Sequence, residues 1–423
     1  MFENSLHYYT FGEYKEIERA APYYDSLIVS SHFVVTETDK IAGTLSNLQP
    51  EQQIDFYVQP YLPEFRKGDN FRKSNGELRS WASNLAEYYG PPISDVLENR
   101  SNLNYFDFSR EDQKKIIEKS CDLQLDLLDE ASENKLGRYL DSVASLTPRA
   151  LVPWYVKINS RPDIRANEEI INYAAEYSDC PVKPCFYVDK SFIHTESNRR
   201  EIVRAVEEAP VREVFLWIDG FDKRDVSIGE LCKALDLVER VSQRGVDPHM
   251  MYSDYFANLM AFFGLRGVSF GIEHGESKSE KTDSGGGSGD SVRYYYNPVK
   301  EFLNVYDVED LGTDFDDPLC ECQACDPVMN SWSDIFQLAD DRKARAQHYI
   351  TTRDGHRETV TNETLDDLVG ELWDGDDKYQ EALDDTDHAA NANHLRKWAT
   401  AIEHYVEEEK QRELSDYSLT TTS

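Results

Sequence analysis

From Pro184 to Gly220 the chain reads PCFYVDKSFIHTESNRREIVRAVEEAPVREVFLWIDG. Two short runs of apolar, β-branched and aromatic residues, 184–188 and 213–219, enclose a stretch at 198–209 whose apolar residues recur with helical spacing. Strands that alternate with helices of about 12 to 20 residues predict βαβ units and a parallel sheet. The order of elements in this segment therefore favours an α/β fold.

The same alternation extends over much of the chain. Five strand candidates fall between about 150 and 275, and helical patterns separate most of them. With two earlier candidates they approach the eight strands of a (β/α)8 TIM-like barrel. An open doubly wound sheet is the alternative, although no G-x-G-x-x-G follows the first strand. The predicted strands are 26–35, 54–62, 150–158, 184–188, 213–219, 249–253 and 267–273.

The composition is strongly acidic. Among 423 residues, 80 are acidic and 45 basic, which gives a formal net charge of −35, while 25 Tyr and 19 Phe indicate a folded protein. Molar salt screens such self-repulsion, so we predict a halophilic, cytoplasmic protein, with an acidic mesophilic protein as the alternative. In that setting net charge does not exclude a nucleic-acid partner. No apolar run long enough for a membrane span and no export signal is visible.

The composition of the sequence changes after about position 275. The segment ESKSEKTDSGGGSGDSVR, 276–293, is rich in Gly, Ser and charge, which predicts a flexible insertion. We therefore predict a TIM-like barrel over 1–310 that contains this insertion. A zinc-binding and C-terminal helical region follows over 311–415, and 416–423 is predicted to be a tail.

Three cysteines lie within the segment PLCECQACDP, 318–327: Cys320, Cys322 and Cys325. A structural zinc site takes four tetrahedral ligands from thiolate and imidazole groups, and C-x-C-x2-C supplies three of them from one loop. The alternatives are a set of unliganded thiols and a redox motif. Histidines downstream are the candidates for the fourth ligand: His348, His356, His388, His394 and His404. We predict a metal site, and among the candidates His348 lies at the end of a predicted helix that could fold back over the loop.

A parallel barrel, this cysteine cluster and a histidine a little over twenty residues later together resemble the tRNA-guanine transglycosylase superfamily. That superfamily includes the queuine and archaeosine enzymes and the related transglycosylases that insert 7-deazaguanine bases into DNA. The resemblance is strongest across about 249–350, where HMMYSDYFANLMAFFGLRGVSFGIE, CECQAC and QHYITTRD occur in the family's order. It implies a structural Zn²⁺ with the ligands Cys320, Cys322, Cys325 and His348.

Upstream, the resemblance rests on the order of the strands alone, and it implies that Asp189 and Gly220 lie near the base. The sequence departs from the family where the nucleophile belongs. That residue is an Asp directly after the Phe of a Gly-x-x-x-Phe turn, whereas Gly271 follows Phe270 here. The family's Asp-Ser-Gly-Gly turn is also absent near IDFYVQPYL, and ALVPWYVKI does not end in a carboxylate. The resemblance in fold therefore exceeds the resemblance in catalytic residues.

Base exchange needs a carboxylate nucleophile and a second acid or base, and a barrel presents such groups at the C-terminal ends of its strands. We predict Glu273 and Asp219 in these catalytic roles. Glu273 lies two residues beyond the missing Asp, and Asp219 ends an apolar strand where burial would raise its pKa. Asp189, Gly220 and Asp254 are predicted to contact substrate, although Asp254 also precedes a helix as an N-cap would.

Two segments suggest how a nucleic acid could be bound. FRKGDNFRKSNGELR, 65–79, is a basic stretch in an acidic chain, and RYYYNP, 293–298, could stack on unpaired bases. The alternative for the aromatic run is a packed sheet edge. The predicted partners are a nucleic acid, either DNA or tRNA, and a purine-like base. No membrane partner is predicted. The chain could form a homodimer or pair with another subunit.

Three functions compete. The first is a transglycosylase-like protein that exchanges guanine for a 7-deazaguanine base in DNA or tRNA. The second is a catalytically silent relative that binds nucleic acid or an active partner, for which Gly271 in the nucleophile position is the motive. The third is an unrelated barrel enzyme with an added zinc site.

Overall fold

The computed structural model describes residues 2–66, 71–99, 102–136, 145–272, 276–278, 292–384, 393–411, 413, 414, 417 and 419. The chain forms two compact units. The N-terminal unit contains Ser5–Asp219 and Arg240–Met251, and the C-terminal unit contains Met1–Asn4, Gly220–Glu239 and Tyr252–Ser423. Within the described part of the chain, no helix combines the length and the apolar character that a bilayer span requires.

The strands are short and mostly buried. They are β1 (Glu3–Tyr8), β2 (Ser26–Ser30), β3 (Asp55–Gln59), β4 (Cys185–Asp189), β5 (Glu213–Asp219), β6 (Asp247–Met250), β7 (Gly267–Phe270), β8 (Arg293–Tyr296) and β9 (Glu301–Asn304). Strand β2 is buried along its whole length, which fits a parallel strand covered on both faces.

In the N-terminal unit the strands form two parallel groups. Strand β2 pairs with β1 and β3, with Ser26 opposite Asp55. Strand β5 pairs with β4 and β6, and its last residue, Asp219, lies opposite Asp189 at the end of β4. The parallel pairing confirms the predicted α/β class, and the register places two carboxylates side by side at one edge.

The predicted strand at 150–158 is wrong as a continuous element. Within the described residues it makes only two isolated parallel bridges, Leu151 with Val182 and Ile158 with Val188. The Ile158 N–H donates to Tyr187 O at 2.7 Å, so the end of this segment runs beside β4.

Side chains form hydrogen bonds with the backbone N–H and carbonyl groups that a full strand would pair with its neighbours. Gln124 bonds both the N–H and the carbonyl of Val152, each at 2.9 Å. Asn167 does the same for Val156, also at 2.9 Å, and Pro153 between them has no N–H. A closed eight-stranded barrel therefore belongs to the proposed function.

Helices alternate with the strands and then dominate the C-terminal unit. The α-helices are α1 (Tyr14–Ala20), α2 (Ser31–Thr36), α3 (Thr38–Gln52), α4 (Ser80–Tyr89), α5 (Ile93–Asn99), α6 (Arg110–Leu125), α7 (Leu127–Leu136), α8 (Arg161–Tyr177), α9 (Glu196–Glu208), α10 (Ile228–Ser242), α11 (Tyr255–Leu259), α12 (Val305–Asp314), α13 (Ile335–Ala339), α14 (Arg342–Asn362), α15 (Leu365–Asp384) and α16 (His394–Glu403). A π-helical turn, His404–Glu409, follows α16.

In the C-terminal unit, β8 and β9 form an antiparallel hairpin with Tyr295 opposite Phe302. The three tyrosines of β8 are buried, so the aromatic run at 293–298 forms a packed edge and does not present its rings for base stacking. The Asp341 side chain accepts hydrogen bonds from two N–H groups of the first turn and caps α14. Because α14 continues to Asn362, His348 lies inside this helix and not at its end.

Candidate functional site

The three cysteines of the predicted metal site lie on one tight loop. The N–H of Cys325 donates to Cys322 O at 2.9 Å, and this turn gathers the sulfur atoms on one side. Helix α14 brings His348 to them, with Nδ1 at 3.4 Å from Cys320 Sγ, 3.6 Å from Cys322 Sγ and 3.4 Å from Cys325 Sγ. The predicted ligand set is therefore brought together.

The second ring nitrogen of His348 determines the tautomer of the imidazole. Nε2 lies 2.8 Å from the carbonyl of Tyr295, so it carries the proton and donates, which leaves the Nδ1 lone pair for a metal. The ring of Tyr294 stacks on the imidazole at 4.1 Å, and its hydroxyl lies 3.3 Å from Cys325 Sγ. Strand β8 thus orients the histidine on two sides.

The spacing of the four ligand atoms suits a tetrahedral ion. Zn–S and Zn–N bonds of about 2.3 and 2.0–2.1 Å at tetrahedral angles put sulfur and nitrogen about 3.6 Å apart. All four ligand atoms lie within 4.8 Å of one another. The cluster could therefore hold a metal such as zinc, and four protein ligands would leave no open position for substrate.

The other candidate histidines have different positions. His356 Nε2 lies 2.7 Å from the side-chain oxygen of Asn297, and His394 Nε2 lies 2.7 Å from the carbonyl of Val299. Neither belongs to a possible metal-ligand group within the described residues, and the same holds for His404. His388 lies outside the described residues.

A second polar cluster lies in the N-terminal unit, where β4 and β5 end. Lys157, with only 4 % of its side chain exposed, bridges the two neighbouring carboxylates. Its Nζ is 2.5 Å from Asp219 Oδ2 and 3.1 Å from Asp189 Oδ2. We call Lys157, Asp189, Asp219 and Tyr187 the strand-end cluster.

Hydrogen bonds hold the rest of the strand-end cluster. The Tyr187 hydroxyl donates to Asp219 Oδ1 at 3.0 Å, and its ring stacks on Trp217 at 3.8 Å. Ser191 donates its N–H and its hydroxyl to Asp189 Oδ1 at 3.0 and 2.6 Å. Burial acts to raise the pKa of Asp189, but the hydrogen bonds from Ser191 and the contact with Lys157 outweigh it and lower that pKa.

Sequence reasoning missed Lys157. The prediction of 150–158 as an apolar strand gives Lys157 no role, and burial is the only influence predicted for Asp219. The available signal was a lysine as the next-to-last residue of ALVPWYVKI, where a strand end in a barrel could present it. Asp219 has instead a cation and a hydroxyl donor as its neighbours.

The remaining predicted site residues differ in how far the structure describes them. Gly220 directly follows β5 with φ +65°, a left-handed conformation that favours glycine, and its contact with substrate stays a prediction. Glu273 lies outside the described residues, so its catalytic role stays a prediction as well.

Asp254 caps α11, as the alternative interpretation stated. Its Oδ1 accepts the N–H of Phe256 at 3.0 Å, and the residue is only 6 % exposed. Burial raises the pKa of Asp254 from 3.8 to about 7, against the opposing effect of Lys223. It also lines a charged cavity of the C-terminal unit.

The raised pKa of Asp254 predicts a pH-dependent stability. Because the folded state holds the proton more tightly than the unfolded chain, stability falls as pH rises from about 4 to about 7 and then stays constant. Asp254→Asn keeps a capping oxygen and removes this cost, so we expect it to stabilise the protein at pH 8 by about 4 kcal/mol and much less at pH 5. Urea unfolding at both pH values measures this difference.

Asp366→Asn is the matched control, since Asp366 is exposed on α15. It should change the free energy of unfolding little at either pH. Equal destabilisation by Asp254→Asn at pH 5 and pH 8 would show that the carboxyl is not the source of the pH dependence.

The basic segment at 65–79 is only partly described. Arg72 donates to the carbonyl of Gly76 at 2.7 Å and to that of Leu97, so this guanidinium bonds within its own unit. Residues 67–70 lie outside the described part. Nucleic-acid contact through this segment stays a prediction.

Comparison with known proteins assigns no family. No protein-family model and no curated protein matches the chain. Solved structures with distant similarity include the endo-β-1,4-mannanase of Thermotoga petrophila, with 9 % identity, a TM-score of 0.40 and coverage of 64 % of this chain and 67 % of the mannanase. The intracellular xylanase of Thermoanaerobacterium saccharolyticum has 11 % identity and a TM-score of 0.31, with 68 % and 89 % covered. Similarity at this level carries no conclusion about activity.

Proposed function

We propose that the chain is a transglycosylase-like enzyme that exchanges guanine for a 7-deazaguanine base in DNA or tRNA, with Asp219 as the carboxylate nucleophile. The observation that carries the proposal is the strand-end cluster, in which Asp219 lies beside Asp189 and contacts Lys157 at 2.5 Å. A closed (β/α)8 barrel and a structural zinc ion in the Cys3His cluster belong to the same proposal. The supporting resemblance is the order of the barrel, C-x-C-x2-C and His348 in the sequence.

The proposed exchange has two displacements at the sugar C1′. An oxygen of Asp219 bonds to C1′ while the glycosidic bond breaks, and the departing guanine takes that electron pair and a proton. The incoming base then loses a proton, bonds to C1′ and displaces Asp219. Lys157 and Tyr187 orient the carboxylate and balance its charge before attack. Glu273 is the proposed acid and base, on its sequence position alone.

Asp219→Asn is expected to reduce incorporation of labelled guanine by about 10⁴-fold, because an amide cannot form the glycosyl ester. The measurement is the initial rate of label transfer into DNA and into tRNA in molar KCl. Asp225→Asn is the matched control in an exposed loop position and should retain the wild-type rate. Full activity of the Asp219 variant would assign the nucleophile to another residue.

A silent, nucleic-acid-binding or partner-binding relative is the second candidate. It is favoured by the fact that Lys157 binds both carboxylates of the strand-end cluster, since a closed ion-pair triad can also be purely structural. Gly271 after Phe270 supports it as well. In that case wild-type protein and the Asp219 variant would both transfer no label, while binding to nucleic acid or to an active subunit would persist.

A further inference from the structure

Within the described part of the chain, four arginines line one groove of about 460 Å³ in the N-terminal unit. Arg200 and Arg204 lie on α9, Arg240 lies in α10, and Arg244 lies in the turn after it. Glu207 is the one carboxylate among the described residues that line this groove. In a chain with 80 acidic and 45 basic residues, the groove therefore concentrates positive charge on an otherwise acidic protein.

The sequence of α9 directs its two arginines outward. Apolar residues such as Ile202 and Val206 are buried on one side of this helix. Arg200 and Arg204 are four residues apart, so they share a face of the helix and stand about 6 Å apart along its axis. The pair that follows from α10 has the same spacing in the sequence. We call these four residues the arginine groove.

Each of these arginines already has a glutamate at ion-pair distance. The contacts are Arg200 with Glu196, Arg204 with Glu168 and Glu201, Arg240 with Glu196, and Arg244 with Glu207. Three of the four arginine side chains are at least half exposed. Exposed ion pairs contribute little to stability, because water competes for both partners. A phosphate can therefore replace a glutamate at these guanidinium groups at low cost.

The arginines are distributed along the groove and do not converge on one point. Glu196 and Glu207, which contact arginines of the groove, are eleven residues apart on α9. Eleven residues of an α-helix rise about 16 Å. One DNA strand rises about 3.4 Å per phosphate, so this length spans about five phosphates. The arrangement suits a chain of phosphates better than a single anion.

We propose that the arginine groove binds the phosphate backbone of a nucleic acid. The planar guanidinium of arginine donates two parallel hydrogen bonds to a phosphate and stays charged at neutral pH. Such contacts position the polymer without reading its bases. The arginines are different residues from those of the strand-end cluster. The choice of nucleic acid over another polyphosphate rests on the proposed function, whereas the site itself rests on the groove and its arginines.

Fluorescence anisotropy of the full, zinc-loaded chain with labelled duplex DNA and with labelled tRNA tests the proposal at several KCl concentrations. The logarithm of the association constant should fall linearly with the logarithm of the KCl concentration. Replacing all four arginines with glutamine should weaken binding at least about tenfold at the lowest KCl concentration. The slope should fall by about 3 to 4, because each arginine neutralises about one phosphate. The loss should be equal for DNA duplexes of unrelated sequence.

Matched variants make the result specific to the groove. Arg200→Gln with Arg204→Gln should reduce the slope by about 2. Arg110→Gln with Arg161→Gln removes two exposed arginines of α6 and α8, and its slope and affinity should stay close to those of the wild type. Lysine at all four groove positions should keep the slope and lower the affinity, since lysine keeps the charge but lacks the planar fork. Circular dichroism confirms that each variant is folded.

Four results would overturn the inference: no binding to either polymer, an unchanged slope in the four-glutamine variant, an equal loss in the α6 and α8 variant, or binding of inorganic polyphosphate alone. Label transfer by the wild type, together with unchanged nucleic-acid binding by the four-glutamine variant, would refute this site and leave the proposed function intact. The stated loss of slope without label transfer by the wild type would refute the proposed function and leave this site intact.

Discussion

Removal of the metal is expected to unfold the C-terminal unit. Elemental analysis of the purified protein should give about one zinc per chain, and Cys322→Ser should lose it. A structural zinc site contributes about 10–16 kcal/mol at neutral pH, which matches or exceeds the 5–15 kcal/mol of a typical folded protein. Nδ1 of His348 already lies 3.4–3.6 Å from each of the three Sγ atoms, and all four ligand atoms lie within 4.8 Å of one another, so they are close enough to share one ion.

Calorimetry with and without a chelator measures this effect. Cys180→Ser is the matched control, because Cys180 is a free cysteine in the N-terminal unit and not part of the cluster. This variant should keep both its metal and its unfolding transition. A wild-type protein that unfolds at the same temperature with and without chelator, after complete loss of metal, would contradict a structural role for the cluster.

Lys157→Met is expected to destabilise the N-terminal unit by about 3 kcal/mol, at the low end of the cost of breaking a buried ion pair. Methionine keeps the length of the apolar stem, while Asp189 and Asp219 lose the cation that they share. The expected loss is at the low end of this range because the Asp189 side chain is 29 % exposed, and solvent screens its charge. Denaturant unfolding at neutral pH measures the loss.

Two controls apply to Lys157→Met: a lysine variant in an exposed ion pair, and a variant that also removes the two carboxylate charges. Lys115 lies 2.7 Å from Glu111 on α6 with both side chains more than half exposed, so Lys115→Met should destabilise the protein far less than Lys157→Met does. Asp189→Asn with Asp219→Asn in the Lys157→Met background should recover part of the lost stability. An equal, small cost for both lysine variants would show that the strand-end cluster is not a buried ionic unit.

The stability that Lys157→Met loses should depend on pH because of Asp189. The pKa of this carboxyl is lowered in the folded state, so its contribution to stability is present above the unfolded pKa and disappears as pH falls through the folded pKa. The difference between wild type and Lys157→Met should therefore shrink at acid pH.

The features that sequence predicted best are those encoded locally. The α/β class follows from alternating runs such as 184–220, and three metal ligands lie within six residues of one loop. His348 could be selected only through a family resemblance. The structure explains the selection, because α14 directs its imidazole to the loop and Tyr295 fixes its proton.

What sequence did not predict depends on contacts between distant residues. Lys157 reaches Asp219 across 62 positions, and nothing in either short run indicates that they meet. The segment 150–158 has the composition of a strand, yet the side chains of Gln124 and Asn167 take backbone bonds that a strand would need. The predicted helix at His348 ends too early, because α14 begins after its cap Asp341 and continues to Asn362.

The most direct test of the proposed function is transfer of labelled guanine by the wild-type, zinc-loaded protein. Separate reactions contain duplex DNA and tRNA in molar KCl, and acid-precipitable label is counted over time. We expect time-dependent incorporation into one of the two polymers, with loss of that signal in Asp219→Asn. No incorporation into either polymer by a folded, metal-loaded sample would contradict the base-exchange assignment.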